Sequence, residues 1–242
     1  HHVKTKNALV YLDDKFNFIN DPVLLDETIT DIPIYNTWIH GLEDLRLFQF
    51  QDKLYYTATT REYSYNGNNR IVFGEYDIEN KKYNNNKVLY PPTETDCEKN
   101  WIPIINNQEI LFIYKWHPLE IGKLDEKNKL NIIIKHDTPS FFKHYRGSSS
   151  VCEYNNQYWC ITHGVKYTTP RRYYHQFVVF DKTTLKPVNY SVPFYFNDFK
   201  IEYCNGMMIK GKEITIMFSQ NDMNPGIIKT DMDRVRKFMV KD

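Results

Sequence analysis

The stretch E43-D-L-R sets two carboxylates and a guanidinium at the head of an apolar run, W38-I-H-G-L-E-D-L-R-L-F-Q-F. Asp44 and Arg46 are two residues apart. On a regular strand their side chains share a face and Glu43 points the other way. A carboxyl group near apolar walls or a second carboxylate has a raised pKa and serves as a proton donor. A guanidinium forks onto phosphate or carboxylate. Three further polar clusters precede apolar strands: E98-K-N-W, R146-G-S-S-S and E202-Y-C-N-G. The first offers Lys99 as a cation, Asn100 as an amide for hydroxyls and Trp101 as a flat face. The next offers Arg146 beside flexible backbone and three hydroxyls. The last offers Glu202 ahead of Asn205 and Gly206, where backbone can approach a ligand. His163 in C160-I-T-H-G-V, Arg172 and His175 in R171-R-Y-Y-H, and Asp222 in S219-Q-N-D-M-N-P-G complete the candidates. Structural uses fit the same residues: an Asp44–Arg46 lock between sheets, Trp101 in the core, satisfied core histidines, exposed Lys99 and Arg172, and Asp222 capping a turn.

The elements that must position these groups are short and β-rich. N7-ALVYL, K53-LYYTATT, R70-IVFGEY, I110-LFIY, Q157-YWCIT, Q176-FVVF and E213-ITIMF read as strands. Turn signals separate them at 66–69, 79–86, 125–129, 154–157, 181–184 and 221–226. No long stripe of helical period is present. The polar clusters begin at residues 43, 98, 146 and 202, so they recur at intervals of 55, 48 and 56 residues, each holding three or four strands. A recurring four-stranded unit of this length marks a propeller blade. The innermost strand of a blade lines the central channel, so the four clusters converge on one mouth. A sandwich is the alternative, but it does not make charges recur at the same point of each unit. The expectation is all-β, a five-bladed propeller in one domain over 1–242. Its blades are about 40–95, 96–143, 144–197 and 198–242, with an incomplete first blade at about 7–35.

Bulk composition narrows the partners. The 242 residues hold 31 basic and 30 acidic side chains, which implies neither nucleic acid nor an anionic membrane surface. No apolar run is long enough to insert in a membrane and no signal peptide is visible, so a cytoplasmic location is expected. Cys97, Cys152, Cys160 and Cys204 have no metal-ligand spacing and read as reduced core thiols, with a disulfide as the alternative. No histidine pair has metal spacing either, so neither metal nor cofactor is expected. His1 and His2 read as the end of an expression tag.

G41-L-E-D-L-R resembles the G-[VL]-E-D-P-R motif of the five-bladed glycoside phosphorylases that act on β-mannosides, with Leu45 in place of the proline. D52-K-L-Y-Y-T-A-T follows it as in that family. R146-G-S-S-S, C160-I-T-H-G-V, I201-E-Y-C-N-G-M and F218-S-Q-N-D resemble later segments, so the likeness runs from about residue 38 to 233. Mannosyltransferases of similar fold belong to the same superfamily. By this resemblance Asp44 is the general acid, Arg146 and His163 lie on the phosphate or second-substrate side, and Asp222 lies near the sugar. It implies transfer of a glycosyl group, mannosyl in that family, to or from phosphate or an acceptor sugar, with inversion. The partners are then a carbohydrate and inorganic phosphate or a sugar nucleotide, and the chain fits as part of a larger multidomain protein. Arg46, Lys99, Arg146 and Arg172 are the anion candidates, and Asn100, Trp101, His163, His175, Glu202 and Asp222 the other ligand contacts. A non-catalytic glycan-binding or assembly domain is one alternative. A hydrolase is another; it needs a second carboxylate from Glu98, Glu202 or Asp222, at about 6.5–9.5 Å from Asp44 for an inverting reaction.

Overall fold

The computed structural model describes residues 3–26, 28–36, 38–197 and 201–240. The His1–His2 reading lies outside the described residues. Twenty strands dominate the described residues. Four of them near the N-terminus have two residues each: β1 (Val3–Lys4), β2 (Ala8–Leu9), β3 (Val23–Leu24) and β4 (Ile39–His40). Four larger sheets follow in sequence order. The first comprises β5 (Glu43–Phe50), β6 (Lys53–Thr60), β7 (Arg70–Asp77) and β8 (Lys82–Leu89). The second comprises β9 (Ile102–Asn106), β10 (Glu109–Trp116), β11 (Leu119–Leu124) and β12 (Leu130–His136). The third holds β13 (Tyr145–Gly147), β14 (Cys152–Tyr154), β15 (Gln157–Lys166), β16 (Arg172–Asp181) and β17 (Pro187–Tyr190). The fourth holds β18 (Glu202–Lys210), β19 (Glu213–Gln220) and β20 (Asn224–Asp231). Each is an antiparallel meander, the arrangement of a propeller blade.

The fold is thus an all-β propeller type with four blades among the described residues, not five. The N-terminal strands are not an incomplete blade. They form two ladders of two residue pairs, β1 with β4 and β2 with β3. Their apolar content is divided: Phe18, Ile19, Leu24 and Ile34 are exposed, while Ile29 is buried in the core of the first unit with Leu25 and Ile32 against it. Side-chain hydrogen bonds pin the segment as well. Asp31 accepts from the Asn86 amide and side chain at 2.8 Å each. Asn7 donates to the Leu42 carbonyl at 3.0 Å. The turn expected at 79–86 is also shorter than its composition suggests, because β8 begins at Lys82.

Two compact units result: residues up to Lys99 with Glu126–Lys129, and Asn100–Asp125 with the chain from Leu130 onward. In the first unit Tyr56, Ala58, Val72, Tyr76 and Tyr83 form the core with Ile29, Leu42 and Tyr63. Alternation puts every second residue of these strands on that face. In the second unit the β15–β16 hairpin is apolar on both faces. Tyr158, Cys160, Val178 and Phe180 pack with Ile102, Ile104, Ile113 and Ile121. Trp159, Ile161, Phe177 and Val179 pack with Cys204, Met207, Ile214 and Ile216. A strand buried on both sides reads as a continuous apolar run, which explains Q157-Y-W-C-I-T. The four cysteines are free thiols, and Cys97 is exposed rather than in the core. Among the described residues no helix is long and apolar enough to cross a membrane.

Ile161 is fully buried and Ile133 is exposed on β12. Ile161→Ala is expected to lower the unfolding free energy by about 2–5 kcal/mol, and Ile133→Ala to change it by less than about 0.5 kcal/mol. Urea unfolding of the two variants checks the pair; equal losses would contradict the two-sided burial.

Candidate active site

In the first unit the site is built around the start of β5. Gly41 has φ 91°, a conformation that favours glycine. Its N–H donates to Glu62 Oε2 at 2.8 Å, while Glu62 Oε1 meets His40 Nδ1 at 2.9 Å. The Glu62 carbonyl accepts from the amides of Tyr35 and Asn36 at 2.8 and 3.0 Å. Glu62 thus fixes the chain entering β5. Glu43 pairs with Thr59, and Arg46 with Thr57. Asp44 and Leu45 together therefore oppose one residue, Ala58, which is a β-bulge.

Asp44 sits in that bulge with φ 54°. Aspartate tolerates this region better than most residues, at a cost of about 1–3 kcal/mol. The bulge also corrects the expected geometry. Strict alternation fails between Glu43 and Arg46, so the rule that put Asp44 and Arg46 on one face does not apply. Arg46 is only 3 % exposed, and its Nη1 donates to the Asp44 carbonyl at 2.9 Å. It supports the backbone of the acid rather than presenting a free fork. Glu43 Oε2 meets Lys99 Nζ at 2.8 Å. Burial opposes the Lys99 charge, but the Glu43 hydrogen bond and the charges of Glu43 and Asp44 outweigh it and raise its pKa. Glu43, Asp44 and Lys99 form one electrostatic group. Glu98 is buried; its Oε1 accepts from Thr95 Oγ1 at 2.5 Å and its N–H donates to the Asn69 carbonyl at 3.0 Å.

In the second unit a polar chain runs through four residues. Asn100, with φ 63°, accepts from Tyr203 Oη at 2.7 Å. The Tyr203 ring meets His163 edge-on at 5.2 Å, and Tyr173 stacks on His163 at 5.8 Å. His163 Nδ1 lies 2.7 Å from Ser148 Oγ. Arg146 pairs directly with His163 across β13 and β15, is exposed, and makes no ion pair among the described residues. The hydroxyls beside Arg146 are not a flexible cradle. Ser148 and Ser149 are fully buried, and Ser149 Oγ accepts the Ile161 amide at 2.8 Å. Gly147 is required by close approach: a Cβ there would collide with Ile102 and lie 2.6 Å from the Asn100 carbonyl oxygen.

Several expected contacts lie elsewhere. Trp101 is 1 % exposed, with its ring edge-on to Phe112 and Tyr114, so its faces belong to the core. His175 is fully buried; neither ring nitrogen has a hydrogen-bond partner among the described residues, and the Phe196 ring lies 4.2 Å away. Glu202 is fully buried too. It accepts the Phe196 and Asn197 amides at 2.7 and 2.9 Å and Gln220 Nε2 at 3.3 Å, so its carboxylate holds a loop. Arg172 is exposed at the start of β16. Asp222 is exposed with φ 55° beside Asn221 at φ 53°, the conformation of a tight hairpin turn. Glu62 and Tyr203 were missed. Each meets its partner across 21 or more residues of chain, and only folding reveals that.

No family model matches the chain, and no curated protein sequence matches it. Solved structures do resemble it. A β-1,2-mannobiose phosphorylase of Listeria innocua superposes with TM-score 0.61 at 12% identity, over 92% of this chain and 65% of its own. This chain thus spans just under two thirds of that protein's length. An exo-1,5-α-L-arabinanase from a bovine ruminal metagenomic library gives 0.57 at 11% identity, over 93% of this chain and 87% of its own. A GDP-Man-dependent mannosyltransferase of Leishmania mexicana gives 0.55 at 11%, over 79% and 69%. At these identities the likeness is one of fold.

Burial pushes the His175 pKa down to about 3 from an ordinary 6.5. The unfolded imidazole takes up its proton near pH 6.5 and the folded one resists until about pH 3. The unfolded state binds more protons in that window, so stability is lost as the pH falls through it, by up to about 1.4 kcal/mol per unit. His175→Phe removes this dependence. Urea unfolding from pH 7 to 4 should show the wild type losing stability faster than the variant; parallel curves would mean that the imidazole titrates normally.

Proposed function

We propose that the chain is a carbohydrate-active propeller that transfers a glycosyl group to or from phosphate or an acceptor sugar, with inversion. The glycosyl group is mannosyl by the resemblance of G41-L-E-D-L-R. The observation that carries this reading is Asp44, held on a bulge at φ 54° with Arg46 bound to its carbonyl and Lys99 in electrostatic reach. Strained acids at strand ends cluster at sites of chemistry. Asp44 donates its proton to the glycosidic oxygen as the bond from C1 to that oxygen breaks. In phosphorolysis a phosphate oxygen attacks C1 from the opposite face; in the synthetic direction the acceptor hydroxyl attacks C1 of the glycosyl phosphate, its proton passes to the Asp44 carboxylate and phosphate leaves, so no enzymic nucleophile is needed. Lys99, held by Glu43 in the same unit as Asp44, suits the anion.

Of the three carboxylates that could serve an inverting hydrolase, two are committed elsewhere in the fold, which favours transfer to phosphate or an acceptor, and the third, Asp222, is exposed in a hairpin turn. Glu202 is committed to two backbone amides and Gln220. Glu98 is committed to Thr95 and is buried. Neither suits the general base that an inverting hydrolase requires. The similarity in fold to a mannobiose phosphorylase and a mannosyltransferase supports the same class.

The test incubates the protein with β-linked mannobiose and inorganic phosphate, then with GDP-mannose and a mannoside, and follows products by mass. Asp44→Asn is expected to lower turnover by at least about 100-fold with an unchanged circular dichroism spectrum. Lys99→Ala is expected to raise the KM for phosphate about tenfold or more, since a charge-assisted contact is worth roughly 1.5–3 kcal/mol. No turnover with any donor, together with sugar binding that Asp44→Asn leaves unchanged, overturns the reading.

A further inference from the structure

We infer that the first unit carries an extended saccharide-binding surface beside the proposed acid, formed by Tyr65, Tyr90 and Tyr35, and that the substrate is an oligosaccharide longer than two residues. This rests on the glycosyl-transfer reading and adds the size class of the ligand. Glu43 pairs with Thr59, Thr60 with Arg70, and Ile71 with Leu89. The start of β5 and the loops 61–69 and 90–98 therefore lie at one end of the first sheet. Tyr65 is 60 % exposed and Tyr35 55 %. The Tyr65 and Tyr90 rings are 6.2 Å apart at 51°. Tyr35 is tied to the same loop, because its N–H donates to the Glu62 carbonyl at 2.8 Å.

These rings sit on loops that are already ordered. Arg61 Nε donates to the Gly67 carbonyl at 2.7 Å. Asn66 Oδ1 accepts from Ser64 Oγ at 2.9 Å, and Asn66 Nδ2 donates to Glu94 Oε1 at 2.9 Å. Asn68 Nδ2 donates to the Thr95 carbonyl at 3.3 Å. Arg70, fully buried, bonds the Asn69 and Thr95 carbonyls and pairs with Glu94. The loops that carry exposed Tyr65 and half-buried Tyr90 are thus ordered before a ligand arrives, which is what preorganised binding requires. A tyrosine offers an apolar face and a hydroxyl together, and Asn66, Asn68 and Glu94 beside it supply amide and carboxylate groups. That mixture suits the apolar faces and hydroxyl rims of sugar rings. From β5 to β8 the sheet spans three strand spacings, about 14 Å. A saccharide that reaches from Asp44 to Tyr90 must extend over several rings.

The experiment measures binding of β-manno-oligosaccharides of two to six residues by titration calorimetry, using Asp44→Asn protein with and without Tyr65→Ala or Tyr65→Phe. Affinity is expected to rise about tenfold or more from the disaccharide to the longer ligands. Tyr65→Ala should remove that gain and Tyr65→Phe should keep it, with the loss confined to the longer ligands. Equal affinity at all lengths, equal loss for the disaccharide, or no binding at any length overturns the surface. Binding is read in protein without the acid, so failed turnover in the wild type bears on Asp44 alone.

Discussion

The burial of both faces of the β15–β16 hairpin is the constraint on which the second unit depends. Its strands pair in unbroken register from Gln157 with Asp181 to Lys166 with Arg172. Successive residues feed two different cores, so neither strand can shift by one position without exchanging them. Tyr158 and Phe180 serve one core, Trp159 and Val179 the other. With the hairpin fixed, His163 has a fixed place near its end. Ser148 and Tyr203 then meet it from β13's continuation and from β18. The polar chain to Asn100 is a consequence of apolar packing beneath it.

Two buried carboxylates do similar work at the ends of sheets. Glu62 binds the Gly41 amide ahead of β5, and Glu202 binds the Phe196 and Asn197 amides ahead of β18. Each satisfies backbone donors that no neighbouring strand can reach, which buried amides require. Charge-assisted hydrogen bonds of this kind are roughly twice as strong as neutral ones. The inner strands that follow both carry a bulge: Asp44–Leu45 in β5, and Asn205 in β18, where the register shifts between Cys204 and Gly206. A carboxylate anchor followed by a bulge lets a strand turn one side chain out of the pleat while the sheet behind it stays regular. In the first unit that side chain is Asp44, the residue that the proposed chemistry uses.

Much of the fold was legible because its signals are local. The β-rich run K53-LYYTATT, the Asn155–Asn156 turn and the Asp181 turn each act over a few residues. The polar clusters at 43, 98, 146 and 202 lie at or just ahead of β5, β9, β13 and β18. Residues 7–35 do not make a fifth blade, because the segment pairs only in ladders of two residue pairs. Phe18, Ile19 and Leu24 have the residue types of a strand but no partner sheet to cover them. The candidate site was legible by residue type and not by use. Trp101, His175 and Glu202 have the chemistry of ligand contacts, yet packing places all three out of reach of solvent.

An all-β chain with strands in repeating groups, and the unusual charges of G41-L-E-D-L-R, are written in the residue order. Both follow from short β-rich runs, turn residues and the recurrence of polar clusters, which need no knowledge of distant contacts. That Asp44 lies in a bulge, that Arg46 supports its carbonyl and that Lys99 is shared with Glu43 emerges from folding alone. Register between strands is set by the packing of whole faces. One residue of slip there changes where every side chain points, and no pattern within the strand itself records it.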